Sequence, residues 1–333
     1  MLQSVAVTFQ VYMTLQPLKA IGNTLLKELV LAVLLLLGVS MVVFAILYTA
    51  PGDQFNILLE GLQPSEEARA RVRDALGVPQ AWYGQYFSWL LNVLSGNFGT
   101  SVRSGLPVAG ELLNVSLNTL YLTLGSMFVT LLIAIPIALH SSVRGYSVTI
   151  NWPLTMFGYL ISAIPVFWMG YIAIYISIHG FAFFPLASLS QTPGENSWIY
   201  TLVPVLVLGL GSGSISEVIR SLREEMSRVM AEDYIRTARA KGASVWRHAF
   251  KEGFLIPVTG IIASKIPFIL GGAVIVEQVF NWPGMGRMAW QAAQDRDFPV
   301  IMGIALIAAA FVRMGSLLQR LVYVAVNPQH SRD

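Results

Sequence analysis

Apolar residues crowd into six stretches of the chain, at about Leu29–Ala50, Leu117–Leu139, Pro153–Ile178, Tyr200–Ile215, Phe254–Val279 and Pro299–Val326. A bilayer core of about 30 Å takes roughly 20 apolar residues in helix. Each stretch therefore predicts a membrane-crossing helix, and together they predict an all-α integral membrane protein of six spans. Pro136, Pro165, Pro204, Pro257 and Pro267 fall inside these stretches. In a membrane bundle, neighbouring helices and water satisfy the carbonyls that a proline frees, so kinks there are tolerated. Residues Met1 to Leu18 are moderately apolar and uncharged, and read as an interfacial helix or a frayed tail.

The polar stretches carry patterns of their own. In the long one, about 51–116, Ser65 can cap a helix Glu66–Leu76 that Gly77 ends. Trp82, Tyr86 and Trp89 then recur at i, i+4 and i+7. This aromatic face suits the headgroup layer of a membrane. A small external subdomain without chemistry and a docking surface for a partner are the other readings. Around 219–253 a different pattern appears. Ile219, Leu222, Met226, Met230 and Tyr234 form one stripe at spacing three to four, with Arg220, Arg223, Glu224, Arg228 and Glu232 opposite. Asp233 is a good N-cap for a short helix Tyr234–Lys241, and Gly242 a good residue just past its end. Glu232 and Asp233 at the start, with Arg239 and Lys241 at the finish, complement the helix dipole. Ser244 can cap the helix that follows. A loop that only fixes topology needs cations and nothing else. A capped, smooth helix carrying the small residues Thr237, Ala238 and Ala240 predicts a docking surface.

Composition supports the membrane reading. The mean hydropathy is +0.63 and only 12% of the residues are charged, about half the share in soluble domains. No cysteine is present, which removes disulfides and thiolate chemistry. With the N-terminus inside, thirteen Lys and Arg fall on the cytoplasmic side, eight of them between Arg220 and Lys251, against six outside. This positive-inside bias predicts that both termini are cytoplasmic.

The stretch "DYIRTARAKGASVWRHAFKEGFLIP" resembles the cytoplasmic coupling loop of ABC-importer permeases, in the "RTARAKG" form of the peptide/nickel subfamily. Further matches run in order: "APGD" at Ala50–Asp53, "LGVPQAWYGQYFSWLLNVLSGNFGTSVRSGLPV" at Leu76–Val108, "LNTLYLTL" at Leu117–Leu124, "GGAVIVEQVFNWPGMGRM" at Gly271–Met288 and "RDFPVIMG" at Arg296–Gly303. The chain departs from the pattern at Arg320, where the family has an acid, and in a shorter distance from Gly242 to Pro257. The resemblance is to the permease with the large external loop. It implies a six-span type I ABC importer permease fold in a bacterial cytoplasmic (inner) membrane. Residues 1–28 would form an N-terminal segment, 29–326 the permease domain and 327–333 a cytoplasmic tail. It also implies a second homologous permease, one or two ATP-binding cassette subunits that hold ATP and magnesium, and an extracytoplasmic solute-binding protein. Membrane lipid would surround the chain; nucleic acid is not expected. The chain itself would be non-catalytic and carry no cofactor. By the same resemblance, Asp233, Arg236, Thr237, Ala238, Lys241 and Gly242 would contact the ATPase. The solute would be a di- or oligopeptide, with nickel, a metal chelate or a glycoside as alternatives.

Lys265 and Arg313 lie near the middles of the fifth and sixth stretches. Each costs roughly 2.5–3.5 kcal/mol to insert at the centre of a helix. Such charges face a cavity or a partner. They predict either a cationic lining for a carboxylate-bearing solute or pairing with an acid such as Glu217 or Glu277. Glu277 near the outer end of the fifth stretch could order the Asn281–Gly286 turn or rim an outer gate. "GLGSGS" at Gly209–Ser214 lacks the lysine of a phosphate loop and reads as close helix packing or a hinge. His140, His179, His248 and His330 have no metal-ligand spacing, so no metal is expected. A membrane hydrolase would need a Ser–His or carboxylate pair at one depth, and a stand-alone channel or secondary transporter would leave the capped helix unexplained.

Overall fold

The computed structural model describes residues 2–50, 81–143, 163–179, 197–211 and 213–326, with positions 153, 156, 160 and 161 besides; the side chains of residues 2–21, 140–143, 197–200, 251–252 and 265, among others, lie outside this set. The proposed helix Glu66–Leu76, Arg144, His330 and the tail 327–333 also fall outside the described residues. Among the described residues there is no strand; one isolated bridge joins Thr100 and Pro107.

The helices are α1 (Leu2–Thr49), α2 (Trp82–Leu94), α3 (Val108–Val143), α4 (Val166–His179), α5 (Ser197–Leu210), α6 (Ser214–Met230), α7 (Asp233–Ala240), α8 (Val245–Ala249), α9 (Ile256–Val279), α10 (Met285–Asp295) and α11 (Phe298–Val326), with a π-helical stretch Phe250–Leu255 joining α8 to α9. Helix α1 starts at Leu2, so the segment before the first span continues it. Helix α3 starts nine residues before the expected span, with Glu111 in its first turn, where an acid favours the helix dipole. Leu25–Thr49, Val108–Leu139 and Phe298–Val324 are long and apolar enough to cross a bilayer; Thr201–Leu210 with Ile215–Met230 meets the test as a bent pair, and Val166–His179 and Gly253–Ser264 are shorter apolar helices. Of the six expected spans, the described residues thus supply three by length alone, or four with the bent pair. The fourth stretch stops at Leu210, because Gly213 takes a positive φ of 70° and starts α6 in a new direction.

The chain divides into two compact units, one of Met1–Ala32, Tyr121–Trp282 and Phe311–Asp333, the other of Val33–Leu120 and Pro283–Ala310. In the first, Leu122, Val166, Val203, Val205, Leu208, Ala273, Val276 and Phe280 pack α3, α4, α5 and α9 together. Gly209 and Gly211 of "GLGSGS" serve that packing. A Cβ on Gly209 would stand 2.7 Å from the Ser126 carbonyl oxygen, and Thr130 Oγ1 donates to the Gly209 carbonyl at 2.7 Å. Small residues and interhelical hydroxyl bonds are what hold helices in a membrane, where apolar burial gives no net drive. A second cluster of Ala134, Ala138, Ile215, Val218, Ile219, Leu222 and Ile261 continues this packing to α6.

In the other unit, Val108, Leu112, Ala292, Val300 and Ile304 join α3, α10 and α11. The buried Asp297 accepts from Ser101 Oγ at 2.5 Å and from the Arg103 amide at 3.3 Å. Arg103 also pairs with Asp295 at 2.9 Å, so the loop before α3 is tied to the turn before α11.

Candidate coupling site and charged residues

The helix α7 exists because the chain breaks and restarts. After α6, the Ala231 and Glu232 amides bond back to the Arg228 and Val229 carbonyls at 3.1 Å, and Glu232 turns to an extended ψ of 147°. The break shifts the helical phase. The expected stripe holds through Ile219, Leu222 and Met226, which are buried, but Tyr234 is exposed and Ile235 points inward instead. The N-cap residue is Glu232 rather than Asp233, and it caps with no side-chain bond. Asp233 is the first helical residue; its carboxylate accepts from Arg236 at 3.4 Å and its carbonyl from Thr237 Oγ1 at 2.9 Å.

At the other end the Gly242 amide bonds the Arg239 carbonyl at 3.1 Å and the Ala243 amide bonds the Ala238 carbonyl at 2.9 Å. This 5→2 and 6→1 pair is a Schellman stop. It requires a left-handed residue, and Gly242 supplies a φ of 67°. Ser244 then caps α8 by accepting from the Arg247 amide.

Beneath α7 lies a small core of Met226, Val229, Ile235 and Ala249, with Leu139, Met230, Val245 and Phe254 around it. Gly253, in the π-helical stretch, allows this closeness: a Cβ there would come within 3.0 Å of Met226 Sδ and 3.3 Å of Val229 Cγ1. Two residues of α7 face inward, Ile235 and Ala238; Asp233, Arg236, Thr237, Lys241 and Gly242 are exposed. Five of the six residues singled out for docking thus share an outer surface, and Ala238 is part of what that surface stands on. Tyr234 and Arg239 are exposed beside them. The ion pairs here, Asp233–Arg236 and Glu225–Arg228, are exposed i,i+3 pairs of the kind that add little stability.

The other charged residues separate. The Lys265 backbone lies in α9, and its side chain is outside the described set. Glu277 is fully buried near the end of the same helix. The Glu277 carbonyl accepts from the Trp282 amide at 2.8 Å and the Gln278 carbonyl from the Asn281 amide at 3.4 Å, with Asn281 at a φ of 53°. These two bonds, with Asn281 in the left-handed region, stop the helix. Arg313 pairs with Glu28, at 2.5 Å to Oε2, and Arg320 bonds Glu28 Oε1. The acid that pairs with Arg313 is thus Glu28 on α1. Glu28 is 3% exposed, Arg313 20% and Arg320 61%.

Residues 130–332 match the family described as binding-protein-dependent transport system inner membrane component, and residues 22–133 match the N-terminal family of the same membrane components. The chain is a binding-protein-dependent transport permease. It is 35% identical over 312 residues to the oligopeptide transport system permease protein AppB of Bacillus subtilis (strain 168), covering 92% of this chain and 98% of that one. It is 33% identical over 312 residues to the glutathione transport system permease protein GsiC of Salmonella typhi, and 32% identical over 314 to that of Escherichia coli (strain K12), with the same coverage. The resemblance read from the motifs, to ABC importer permeases of the peptide type, holds across nearly the whole permease. So does its character as a helical, multi-pass inner-membrane component of a transporter.

Glu28 is the charged neighbour that sequence reading missed. It sits 285 positions from Arg313, at the head of an apolar run where an acid reads as a boundary marker. The one available signal was Arg320, a base where the family has an acid: two bases on one face of α11 call for a carboxylate from another helix.

Proposed function

We propose that this permease forms half of the pore of an ATP-driven importer of di- or oligopeptides and receives the ATPase stroke through α7. The observation that carries the reading is the construction of α7: two turns, stopped by Gly242, seated on Ile235 and Ala238, with Asp233, Arg236, Thr237 and Lys241 facing out. A helix that short is marginal in water by itself; here the small core beneath it and the Schellman stop hold it as a rigid body that can transmit a push. A second homologous permease, one or two ATP-binding cassette subunits and an external solute-binding protein complete the machine. ATP and magnesium act on the cassette subunits, and this chain is non-catalytic. Closure of the ATPase pair would swing α7 and rock the helices around a solute site between subunits, a rigid-body form of alternating access.

Both termini face the cytoplasm in this reading, because that puts the cationic 220–251 stretch inside. The peptide assignment draws on the names of the relatives, which carry oligopeptides and glutathione. Among the charged candidates for the solute path, Arg313 is compensated by Glu28, so Lys265 is the cation left to favour a carboxylate-bearing solute, with Glu277 near the helix end.

The test is gentle extraction of the tagged chain from its native membrane and mass spectrometry of what accompanies it. A second permease with one or two ATPases is expected. Gly242→Pro should lose the ATPases and keep the second permease. Recovery of the chain alone, transporting without ATP, would refute the importer reading.

A further inference from the structure

Helix α2 has three faces. At about 100° per residue, Tyr86, Trp89 and Val93 fall together, and Tyr86 is buried against α1: its ring meets Phe44 edge-on at 5.4 Å and its hydroxyl shares a 2.9 Å bond with Ser40. Of the aromatic face expected to sit among headgroups, Tyr86 is thus turned inward and Trp89 is half-buried, while Trp82 is exposed. Tyr83, Phe87, Leu91 and Leu94 fall in a separate sector and are all exposed. Gly84, Ser88 and Asn92 fall in a third, where Ser88 and Asn92 are exposed. The helix has no charged residue along its 13 positions.

Depth identifies what covers the apolar sector. The candidate span Leu25–Thr49 has 25 residues, about 37 Å of helix at 1.5 Å per residue. Centred in a hydrocarbon core of about 30 Å, it overhangs by a few ångströms at each end. Phe44 lies about 7 Å before its end, so the Tyr86–Phe44 contact is just inside the hydrocarbon. At the same level α1 also exposes Val42 and Ile46 on its opposite side, and Tyr48, as a helix surrounded by lipid does. An interfacial helix buries its apolar face about 5–10 Å into the boundary of headgroups and chains, and keeps a polar flank toward water, as Ser88 and Asn92 allow.

We infer that α2 lies in the membrane interface, with Tyr83, Phe87, Leu91 and Leu94 in lipid, Ser88 and Asn92 in the aqueous headgroup layer, and Tyr86 pinning it to α1. It holds residues 82–94 at a fixed depth beside α1. This inference does not depend on which solute is carried or on how α7 docks.

The chain has no cysteine, so single cysteines can carry a nitroxide. Phe87→Cys, Leu91→Cys, Ser88→Cys and Asn92→Cys would be made in the full chain. Each would be extracted with its accompanying subunits and reconstituted in phosphatidylethanolamine and phosphatidylglycerol vesicles, the label-treated parent serving as background. Collisions with oxygen, which partitions into lipid, and with a water-soluble nickel chelate are then measured. The oxygen-to-nickel ratio should be several-fold higher at 87 and 91 than at 88 and 92. Equal nickel access at all four positions would mean a water-facing helix and overturn the inference. Protection of 87 and 91 from both reagents would mean that protein, rather than lipid, covers them, and would overturn it too.

Discussion

Replacing Glu28 with glutamine tests the charge cluster of the first unit. The Glu28 carboxylate is 3% exposed and takes Arg313 at 2.5 Å and Arg320 as well. The guanidinium of Arg313 is four-fifths buried, and its Nε has no acceptor among the described residues. Removing one partner of a buried pair costs about 3–5 kcal/mol, because the other charge is left uncompensated. Arg320 is mostly exposed, and its bond contributes at most about 1 kcal/mol. Glu28→Gln should therefore cost about 3 kcal/mol, since the amide still accepts one hydrogen bond. In a chain of 333 residues that is a fall of about 4 °C in Tm, at about 2.1 cal/mol/K of unfolding entropy per residue. The assay is heating of the detergent-solubilised complex followed by size-exclusion of the monodisperse fraction. Glu28→Leu combined with Arg313→Leu should recover most of the loss, because apolar replacement of a whole buried pair is often neutral or better. A Glu28→Gln protein as heat-stable as the parent would refute the pairing and return Arg313 to the role of a bare cation facing solute.

Gly242→Ala must hold a φ of 67° with a Cβ, at about 1 kcal/mol; it should reduce transport-coupled ATPase activity, with Gly242→Asn milder. Arg236→Glu reverses a charge on the outer face of α7 without touching Ile235 or Ala238, so it should lower ATPase recovery in a pull-down and leave Tm unchanged. Gly209→Leu drives a side chain against the Ser126 carbonyl oxygen, where even a Cβ would be 2.7 Å away; overpacking costs about 1–3 kcal/mol or more, and the folded yield should drop sharply while Gly271→Ala, which meets nothing within 4 Å, leaves it intact. Lys265→Met should lower uptake of acidic peptides more than of basic ones; equal losses would count against a cationic lining.

Much was legible in the sequence because it rests on local physics. The helical membrane class follows from apolar runs long enough to span lipid, and the end of α7 from a glycine after a basic turn. The start of α8 follows from Ser244 as its cap. Each needs only a few neighbouring residues. The tertiary structure decided the rest. The helical phase of α7 changed because the chain broke at Ala231 and Glu232, and no stripe read across a break can know the new rotation. That is why Ile235, rather than Tyr234, continues the buried face. The inward face of α2 was chosen by Ser40 and Phe44, residues on a different helix. The partner of Arg313 came from the far end of the chain. Periodicity tells which residues share a side of a helix, but which side is buried depends on what arrives there, and a charge is neutralised by proximity in space, which one sequence does not encode in its spacing.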